Sequence, residues 1–364
     1  MKLTVPKQEL LEKLSDIQNV VEKRNTMPIL SHFLLEAKKT KGSYIMATDL
    51  ETAIKEPIAL SVEKEGRLSI PARKLFEIVR EVDGDISIES EDGNWIRVKA
   101  GTSNFRLACL PPEDFPEWPK MESGEELQIE AKMLSEMIEK TIYAAGESDT
   151  RYTLNGILFH IHEGTFTAVG TDGHRMAVLS KETTPVKEEK NAIVPRKAAG
   201  ELRKFLDKDG AVSVTIGKNH VLFKVGEITF LARLIEGTYP NYTKVVPTEN
   251  EKKLLIDKEA VIKALRRVAI MSRERSSAVK ADISKGMLTL TTSNPDLGEA
   301  SDEVNIDYKG EDLTIGFNAR YLLDALSAIS TDKAVFELHD QLSPTLLKEE
   351  GSEAYKCVVM PMRL

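Results

Sequence analysis

The chain repeats itself at a step of about 120 residues, and this repeat restricts its fold more than any single motif does. The segments SIPARKLFEIVREVDGDISIES, AIVPRKAAGELRKFLDKDGAVSVTI and IGFNARYLLDALSAISTDKAVFEL each hold an apolar run, a basic residue, an amphipathic stretch, a turn and a strand. Their basic residues Arg73, Arg196 and Arg320 lie 123 and 124 residues apart. This step is an ordinary domain length, so the 364 residues predict three similar domains: 1–121, 122–248 and 249–364.

Each repeat is itself doubled. LTVPKQELLEKL near the start matches LSIPARKLFEIV later in the first repeat, IDKEAVIKALRRV echoes FNARYLLDALSAI in the third, and the middle repeat shows a weaker echo. Apolar residues recur at helical spacing from Leu10 to Val21, whereas DISIES, VSVTIG and MLTLTT alternate as half-buried antiparallel strands do. Helices can cover the apolar face of each sheet. We therefore expect an α+β chain of six half-units, each with a strand, a helix and several further strands.

The predicted helices are basic although the chain is acidic. A net charge of −8 argues against a generally adhesive nucleic-acid binder, yet residues 73–80, 196–208 and 258–275 are rich in Lys and Arg. One such run is ordinarily a solvated helix face. Three runs at equivalent positions indicate one basic side, if the repeats are arranged alike. Few aromatic residues accompany them, which favours contact with the phosphate backbone without sequence readout.

Several classes of protein are disfavoured by composition. Two cysteines are too few for a disulfide framework or a zinc module, and they suit a reducing cytoplasm. The longest apolar runs have only strand length, and MKLTVPKQELL lacks the apolar core of a signal peptide. No G-x-x-x-x-G-K-[ST] phosphate loop occurs. We expect a cytoplasmic protein that needs no cofactor.

Three histidines invite a catalytic or metal interpretation. His174 follows Asp172 in TDGHR, but no nucleophile motif such as G-x-S-x-G accompanies them, so a binding or structural role is favoured. His160 and His162 would share one face of a strand, as metal ligands can, but no third ligand is evident nearby. We predict neither a catalytic residue nor a metal site.

The sequence finishes on the unusually apolar AYKCVVMPMRL. One interpretation is an ordinary last core strand. The other is a surface kept apolar because it awaits a ligand. Both can hold, since a strand has two faces. We expect Tyr355 and Cys357 to alternate with Lys356 in a final strand, and residues 358–364 to run past the sheet.

The motifs RYTLNGILF, TDGHR, VPRK, YPNY and VVMPMRL follow one another in this order along the chain. Together they closely resemble the beta subunit of bacterial DNA polymerase III, the DNA sliding clamp family. The resemblance covers the whole chain. It implies a DNA clamp fold, with three domains (N-terminal, central and C-terminal) of two βαβββ motifs each. It further implies a ring-shaped head-to-tail homodimer, with helices lining the hole and sheets outside.

The resemblance also implies a function. Clamps of this family are non-catalytic processivity factors that encircle double-stranded DNA without sequence preference and act in DNA replication. The implied partners are the polymerase III catalytic subunit, the clamp loader and other proteins with clamp-binding motifs, such as repair polymerases, ligase and mismatch-repair proteins. The implied location is the cytoplasm, at replication forks in the nucleoid.

Site residues follow from the resemblance position by position. The positions expected to contact DNA are Arg24, Arg73, Arg80, Ser148, Tyr152, Thr153, Arg196, Lys197, Arg203 and Lys204. Thr153 stands where an aromatic residue is common, which removes one possible stacking contact with single-stranded template. The positions expected at the dimer interface are Lys74, Phe105, Arg106, Leu107, Ile270, Met271, Glu299 and Glu303. A head-to-tail contact of this kind closes a ring when the rotation fits.

The resemblance places a pocket for partner peptides between the central and C-terminal domains. Its expected members are Leu154, Thr171, Gly173, His174, Arg175, Met176, Pro240, Lys244, Val245, Leu342, Pro344, Val358, Val359, Met360, Pro361, Met362, Arg363 and Leu364. Apolar walls with adaptable methionines suit short peptides, and Thr171, His174, Arg175 and Arg363 could bond their polar groups. Lys244 stands where an Arg is frequent, while Leu342 and Pro344 replace a Val and a Ser, so peptide preference is expected to differ.

Two other functions compete with the clamp interpretation. A peptide-binding scaffold would contact nucleic acid only weakly, and its binding would not depend on whether the DNA is circular. A nucleic-acid-processing enzyme would show turnover in the isolated chain, but the sequence has no evident acidic metal cluster to support one.

Overall fold

The computed structural model describes residues 1–21, 27–40, 42–121, 124–206, 209–272 and 277–363. Arg24 and Leu364, both expected site residues, lie outside the described residues, as do Lys208, Arg273 and Arg275 of the basic runs. The contacts within the chain define two compact units. The first unit comprises residues 1–132 and 204–234, and the second unit comprises residues 133–203 and 235–364.

Six described α-helices each begin directly after a strand, as the half-units predict. In the first of them Leu10, Leu14 and Ile17 are buried along one face, which is the helical spacing seen in the sequence. Polar caps start two of the later helices: Asp257 Oδ1 accepts from the Ala260 amide at 2.8 Å, and Asn318 Oδ1 accepts from the Arg320 amide at 2.9 Å. The helices are α1 (Lys7–Ile17), α2 (Ala72–Glu81), α3 (Ala131–Ile142), α4 (Arg196–Arg203), α5 (Lys258–Ala269) and α6 (Ala319–Ala328).

The strands fall into three sets that follow the repeats. The first set is β1 (Lys2–Val5), β2 (His32–Ala37), β3 (Tyr44–Thr48), β4 (Thr52–Pro57), β5 (Ser61–Lys64), β6 (Gly66–Pro71), β7 (Ile86–Glu91), β8 (Trp95–Ala100) and β9 (Ser103–Ala108). The middle set is β10 (Glu126–Glu130), β11 (Gly156–His162), β12 (Thr165–Thr171), β13 (Arg175–Glu182), β14 (Lys190–Pro195), β15 (Ala211–Ile216), β16 (His220–Val225) and β17 (Ile228–Arg233). The third set is β18 (Lys252–Asp257), β19 (Ala278–Ser284), β20 (Met287–Asn294), β21 (Gly298–Asn305), β22 (Leu313–Asn318), β23 (Lys333–Leu338), β24 (Thr345–Glu349) and β25 (Tyr355–Val359).

Each compact unit contains two antiparallel sheets. The first unit has a sheet ordered β5-β1-β7-β8-β9 and an eight-stranded sheet ordered β10-β15-β16-β17-β4-β3-β2-β6. The second unit has an eight-stranded sheet ordered β14-β11-β12-β13-β25-β24-β23-β18 and a sheet ordered β21-β20-β19-β22. Among the described strands, β9 and β21 are therefore sheet edges.

Both eight-stranded sheets are shared by neighbouring repeats. In the first unit β4 of the first repeat pairs with β17 of the middle repeat, and in the second unit β13 pairs with β25 of the third. Each of these sheets takes four strands from either repeat, so the two compact units cut across the three repeats of the sequence. The domain limits at 121 and 248 stay a prediction from sequence.

The core of the second unit fixes the position of β25. Val358 packs with Leu158, Val169 and Met176 in one apolar cluster. Tyr355 and Cys357, which alternate with it, are buried too, and both lie within hydrogen-bonding distance of the Tyr143 hydroxyl. The predicted alternation is therefore present, and both faces of the strand are used. Among the described residues, no helix has the length and apolar character needed to cross a membrane.

Candidate functional site

A cavity of about 160 Å³ opens where β13 and β25 pair in the second unit. Met176 lies opposite Val358 in that pairing, and Arg175 lies opposite Val359. We call this cavity the groove. Its lining residues are Arg151, Leu154, Thr171, Gly173, Arg175, Met176, Pro240, Tyr242, Val245, Val358 and Met360.

The turn TDGHR forms one wall of the groove. The Thr171 hydroxyl donates to the Arg175 carbonyl at 2.7 Å and accepts from the Gly173 amide at 3.1 Å. Asp172 Oδ1 accepts from the amides of His174 and Arg175 at 2.9 and 3.0 Å. Gly173 has a φ of +82°, and a Cβ added there would lie 2.6 Å from Arg151 Nη1. Glycine adopts this left-handed backbone without strain, and a side chain here would have to displace the end of the flexible Arg151 side chain.

Arg175 shapes this wall from within. Its guanidinium donates to Asp324 at 2.5 Å, to the Tyr143 carbonyl at 2.6 Å and to Asp172 at 3.1 Å. Burial acts to lower the pKa of Arg175, but the bond to Asp324 and the charges of Asp172 and Asp324 outweigh it and raise the pKa. Arg175 thus stays charged and holds this wall in place, and its expected bond to a peptide stays a prediction.

The opposite walls are apolar and only partly covered. Leu154, Met176 and Val358 are buried, whereas Val245 and Met360 keep 40% and 37% of their surface exposed. Half-exposed apolar side chains around a concave surface are typical of a site that binds apolar ligand groups. Met360 can adapt its shape to different ligands because its side chain is unbranched and flexible.

A second depression of about 300 Å³ adjoins the groove and shares Val245 with it. Lys244 and Pro344, both expected pocket residues, line this second depression. Leu342 lies in neither lining set and is 62% exposed, with its amide donating to Asp340 at 2.8 Å. The expected set is thus divided between two neighbouring depressions.

The remaining expected pocket residues lie elsewhere. His174 lines a separate polar depression with Arg196, Arg320 and Asp324, and its ring stacks 6.5 Å from that of Tyr321. Val359 is fully buried within β25, and Pro361, Met362 and Arg363 are absent from the lining of the described depressions.

The expectation that residues 358–364 all run past the sheet is wrong. Strand β25 continues through Val359, because Val358 and Val359 pair with residues of both β13 and β24. Beyond the strand, the Met362 amide donates to the Gly316 carbonyl at 2.7 Å, which ties this segment to β22. Of the described residues after Val359, Met360 is the one that lines the groove.

Sequence reasoning missed two groove residues, Arg151 and Tyr242. Both stand in motifs singled out above, as the first residue of RYTLNGILF and the last of YPNY. Arg151 donates to Asp149 at 2.7 and 2.9 Å and to the Asp172 carbonyl at 2.9 Å. These bonds from Arg151 hold the pKa of Asp149 at about 2, so the ion pair persists at neutral pH.

The residues expected to contact DNA lie in both units. In the first unit Arg73 and Arg80 are exposed on α2. Arg73 Nε lies 3.5 Å from Glu77 Oε1, and Arg80 Nε lies 3.0 Å from Glu81 Oε1. Lys204 follows α4 and also belongs to the first unit. Exposed arginines with weak surface partners are available to phosphate groups.

The second unit carries the other expected DNA contacts. On α4, Arg196 and Arg203 lie 3.0 Å from Glu147 and Glu139, and Lys197 lies between them in sequence. Tyr152 and Thr153 lie in the short 3-10 turn Tyr152–Asn155, and Tyr152 is 77% exposed. Ser148 is exposed before that turn. Tyr152 thus presents an exposed aromatic ring next to Thr153, the position at which the family often has an aromatic residue and this chain does not.

The expected interface residues of the first unit lie on and near an edge strand. Phe105 and Leu107 are half-buried on one face of β9, and the Arg106 guanidinium lies 4.4 Å from the Trp95 ring centre. Lys74, on α2, bonds to Glu77 at 2.5 Å.

The expected interface residues of the second unit flank its own edge strand. Glu299 and Glu303 are exposed on β21, which pairs with β20 on one side only among the described strands. Ile270 and Met271 follow α5, and Ile270 is 75% exposed. An unpaired edge beside an exposed apolar residue invites a second chain.

The two histidines of LFHIHEG do not form part of a metal constellation in the part of the chain that the structure describes. His160 and His162 share a strand face and stack 6.1 Å apart, as the sequence suggests. Within the described ranges, however, no group of three or more His, Cys, Asp or Glu residues is arranged to hold a metal ion.

Known proteins match the whole chain. Three family models of the DNA polymerase III beta subunit match consecutive pieces: the N-terminal domain at residues 1–119, the central domain at 128–241 and the C-terminal domain at 243–363. Curated relatives named beta sliding clamp, from Pseudomonas putida and Caulobacter vibrioides, are 37% and 38% identical over the full length of both chains.

Solved structures agree with the family models. A sliding clamp from Bartonella birtlesii bound to griselimycin is 36% identical and superposes with a TM-score of 0.95, and one from Pseudomonas aeruginosa, also bound to griselimycin, gives 0.94. Both comparisons cover all of each chain. The α+β fold described above is thus that of the DNA clamps, as predicted. The chain belongs to the DNA polymerase III beta subunit family.

Proposed function

We propose that the protein is the processivity factor of DNA replication, a homodimeric ring that encircles duplex DNA and holds the replicative polymerase on it. The observation that carries this proposal is the groove between β13 and β25, set in a chain that matches clamps along its whole length. Relatives with this fold bind griselimycin, so a ligand site in the fold is well founded. The chain itself supplies no catalysis in this proposal.

The head-to-tail ring is supported by two sheet edges. Strand β9 carries Phe105 and Leu107, and strand β21 carries Glu299 and Glu303. Pairing β9 of one chain with β21 of another would remove both edges and place the basic Arg106 near acidic residues. Two such contacts close a dimer of equivalent chains.

The partners in this proposal engage the groove with short apolar peptide segments. They are the polymerase III catalytic subunit, the clamp loader, repair polymerases, ligase and mismatch-repair proteins. DNA is held by the ring and by exposed arginines such as Arg73 and Arg80, without base readout. The protein would work in the cytoplasm, at replication forks in the nucleoid.

Retention on circular DNA tests the proposal. The protein is loaded onto nicked plasmid with its clamp loader and ATP, and the complex is separated by gel filtration before and after cutting with a restriction enzyme. We expect protein to stay with the circle and to leave the linear form. An enzyme without a site in the plasmid provides the matched control. Equal loss from cut and uncut plasmid would contradict encirclement.

A further inference from the structure

His160 lies outside the groove yet contacts its wall. The side chain projects from β11, where its Nδ1 is 2.8 Å from the Tyr242 hydroxyl and its Nε2 is 3.0 Å from Glu189 Oε1. Tyr242 lines the groove, whereas His160 does not. The three side chains therefore form a short hydrogen-bonded chain that ends at the groove.

The donor and acceptor in each of these hydrogen bonds follow from Glu189, the side chain farthest from the groove. Hydrogen bonds from Asn191 first, and then from His160, hold the pKa of Glu189 below its usual value, so the carboxylate can only accept. His160 Nε2 must then carry a proton. In the neutral imidazole Nδ1 is left as the acceptor, and the Tyr242 hydroxyl donates to it. Each group in the chain has a defined role.

Tyr242 begins the turn that separates the two depressions. The turn spans Tyr242–Lys244, and the Val245 amide donates back to the Tyr242 carbonyl at 3.1 Å. Val245 faces both depressions, and Lys244 lines the second. The Tyr242 ring also packs against the apolar cluster that contains Leu158 and Val358. The position of Tyr242 therefore sets the position of the shared wall.

We propose that His160 and Glu189 are positioning residues for the peptide groove. They hold the Tyr242 hydroxyl, and through it the turn that carries Lys244 and Val245, in the geometry that receives a ligand. Neither residue needs to touch the ligand. This inference rests on the proposed function, because it assigns the shape of the groove to peptide binding.

A double-mutant cycle tests it, with the polymerase III catalytic subunit of the same organism as the immobilised probe. The variants are His160→Phe, Tyr242→Phe and the two together. Both single variants remove the His160–Tyr242 hydrogen bond, and Tyr242→Phe also removes a hydrogen bond with Thr167. We expect His160→Phe to weaken binding by about three- to tenfold and Tyr242→Phe to weaken it at least as much. The double variant should bind no more weakly than Tyr242→Phe alone, because the bond can be lost only once.

Two further variants keep the test decisive. His162→Phe places the same ring two residues along the same strand, where it can still stack on His160 and leaves the His160–Tyr242 hydrogen bond in place, so it should bind like wild type. Glu189→Ala truncates a half-exposed side chain, and surface truncations of this kind ordinarily change stability little. It should give a smaller loss than His160→Phe in the wild-type background and none in the His160→Phe background. Melting temperatures show whether any variant is unfolded.

The outcomes separate the inference from the function beneath it. Suppose that wild type binds the polymerase subunit and that His160→Phe and Glu189→Ala each bind it as tightly as wild type does. The positioning role is then refuted, while the proposed function stands. Additive losses in the double variant also refute it, since the two residues would then act independently. A wild-type protein that does not bind the subunit refutes the proposed function, and the inference with it.

Discussion

At the scale of single residues, one turn occurs twice with different residues at its tip. In the first repeat the Thr48 hydroxyl donates to the Thr52 carbonyl at 2.8 Å and accepts from the Leu50 amide at 3.0 Å, as Thr171 does in the groove. Leu50 has a φ of +73°, close to that of Gly173. The same left-handed backbone therefore carries a side chain in the first repeat, whereas a side chain at Gly173 would have to displace the end of Arg151.

Gly173→Ala should therefore affect both stability and partner binding, since the strained backbone accounts only for the loss of stability. We expect a loss of about 1–2 kcal/mol in stability from the left-handed conformation, and weaker partner binding because the new Cβ displaces Arg151. Thermal unfolding and binding to the polymerase subunit measure the two effects. Leu50→Ala is the matched control, since that position already carries a Cβ. Equal effects of the two variants on binding would show that the Arg151 contact is unimportant.

Glu56 gives the first unit a pH dependence. Its carboxyl is fully buried 2.9 Å from the Lys13 ammonium, and its second oxygen has no hydrogen-bond partner among the described residues. Burial raises the pKa of Glu56 to about 7, against the opposing effect of Lys13. The folded state thus favours the protonated carboxyl. Its contribution to stability is present in full below the unfolded pKa, near 4.5, and is lost as the pH rises through about 7.

We therefore expect the free energy of unfolding to fall by about 2–3 kcal/mol between pH 5 and pH 8 relative to Glu56→Gln, which cannot titrate. Urea unfolding of both proteins at several pH values gives this difference, and other groups cancel because they are common to both. Parallel curves for wild type and Glu56→Gln would show that Glu56 keeps an ordinary pKa when folded.

At the scale of elements, sheet pairing ends and the groove wall continues within a few residues of the end of β25. Val358 and Val359 are both paired sheet residues, Val358 also lines the groove, and Met360 is the groove residue that follows the strand. A stop after Val359 should leave β25 paired and the dimer intact, yet weaken partner binding at least about fivefold because one apolar wall is lost. Sedimentation and polymerase binding measure the two properties.

A stop after Cys357 is the comparison for that truncation. It removes two paired residues of β25 and should lower the melting temperature as well as binding. If the shorter deletion bound the polymerase subunit like wild type, Met360 and the residues after it would have no part in the groove.

The sequence was most informative about elements whose pattern is local. Leu10, Leu14 and Ile17 mark the buried face of α1 by their spacing alone, and Tyr355 and Cys357 mark one face of β25. Periodicity shows which face of a strand is buried but does not identify the neighbouring strand. The pairing of β4 with β17 and of β13 with β25 therefore could not be read from the residues.

In the groove, too, local motifs could be recognised in the sequence, whereas contacts between distant residues could not. The family resemblance named Leu154, Met176 and Val358 because their motifs are short and contiguous in sequence. It did not name Tyr242, whose role depends on a hydrogen bond to His160, more than eighty residues away on β11. Residue type alone also did not show that Arg175 donates to Asp324 and to the Tyr143 carbonyl, two contacts that fix the guanidinium within the groove wall.

At the scale of the whole molecule, the proposed ring predicts a separable effect of Ile270. Because that side chain is 75% exposed, Ile270→Asp should leave the melting temperature of the isolated chain nearly unchanged. In the dimer it would place a charge in an apolar contact, so we expect the dimer dissociation constant to rise at least about tenfold. Analytical ultracentrifugation over a dilution series measures it.

Leu342→Asp provides the matched control, as Leu342 is also an exposed apolar residue of the second unit. It should leave the dimer unchanged and weaken partner binding instead. If Ile270→Asp and Leu342→Asp dimerised equally well, the interface would not include the end of α5.

The sharing of a sheet between repeats has a consequence for how the protein is made. Strand β13 is synthesised long before β25, yet the groove exists only where the two pair, with Met176 opposite Val358. A ribosome must therefore translate through Val359 before the site can form. Chains released early by a premature stop lack the groove, so they cannot compete with finished molecules for partners. Because Val358 of β25 lines the groove opposite Met176 of β13, partner binding depends on residues that are translated long after β13.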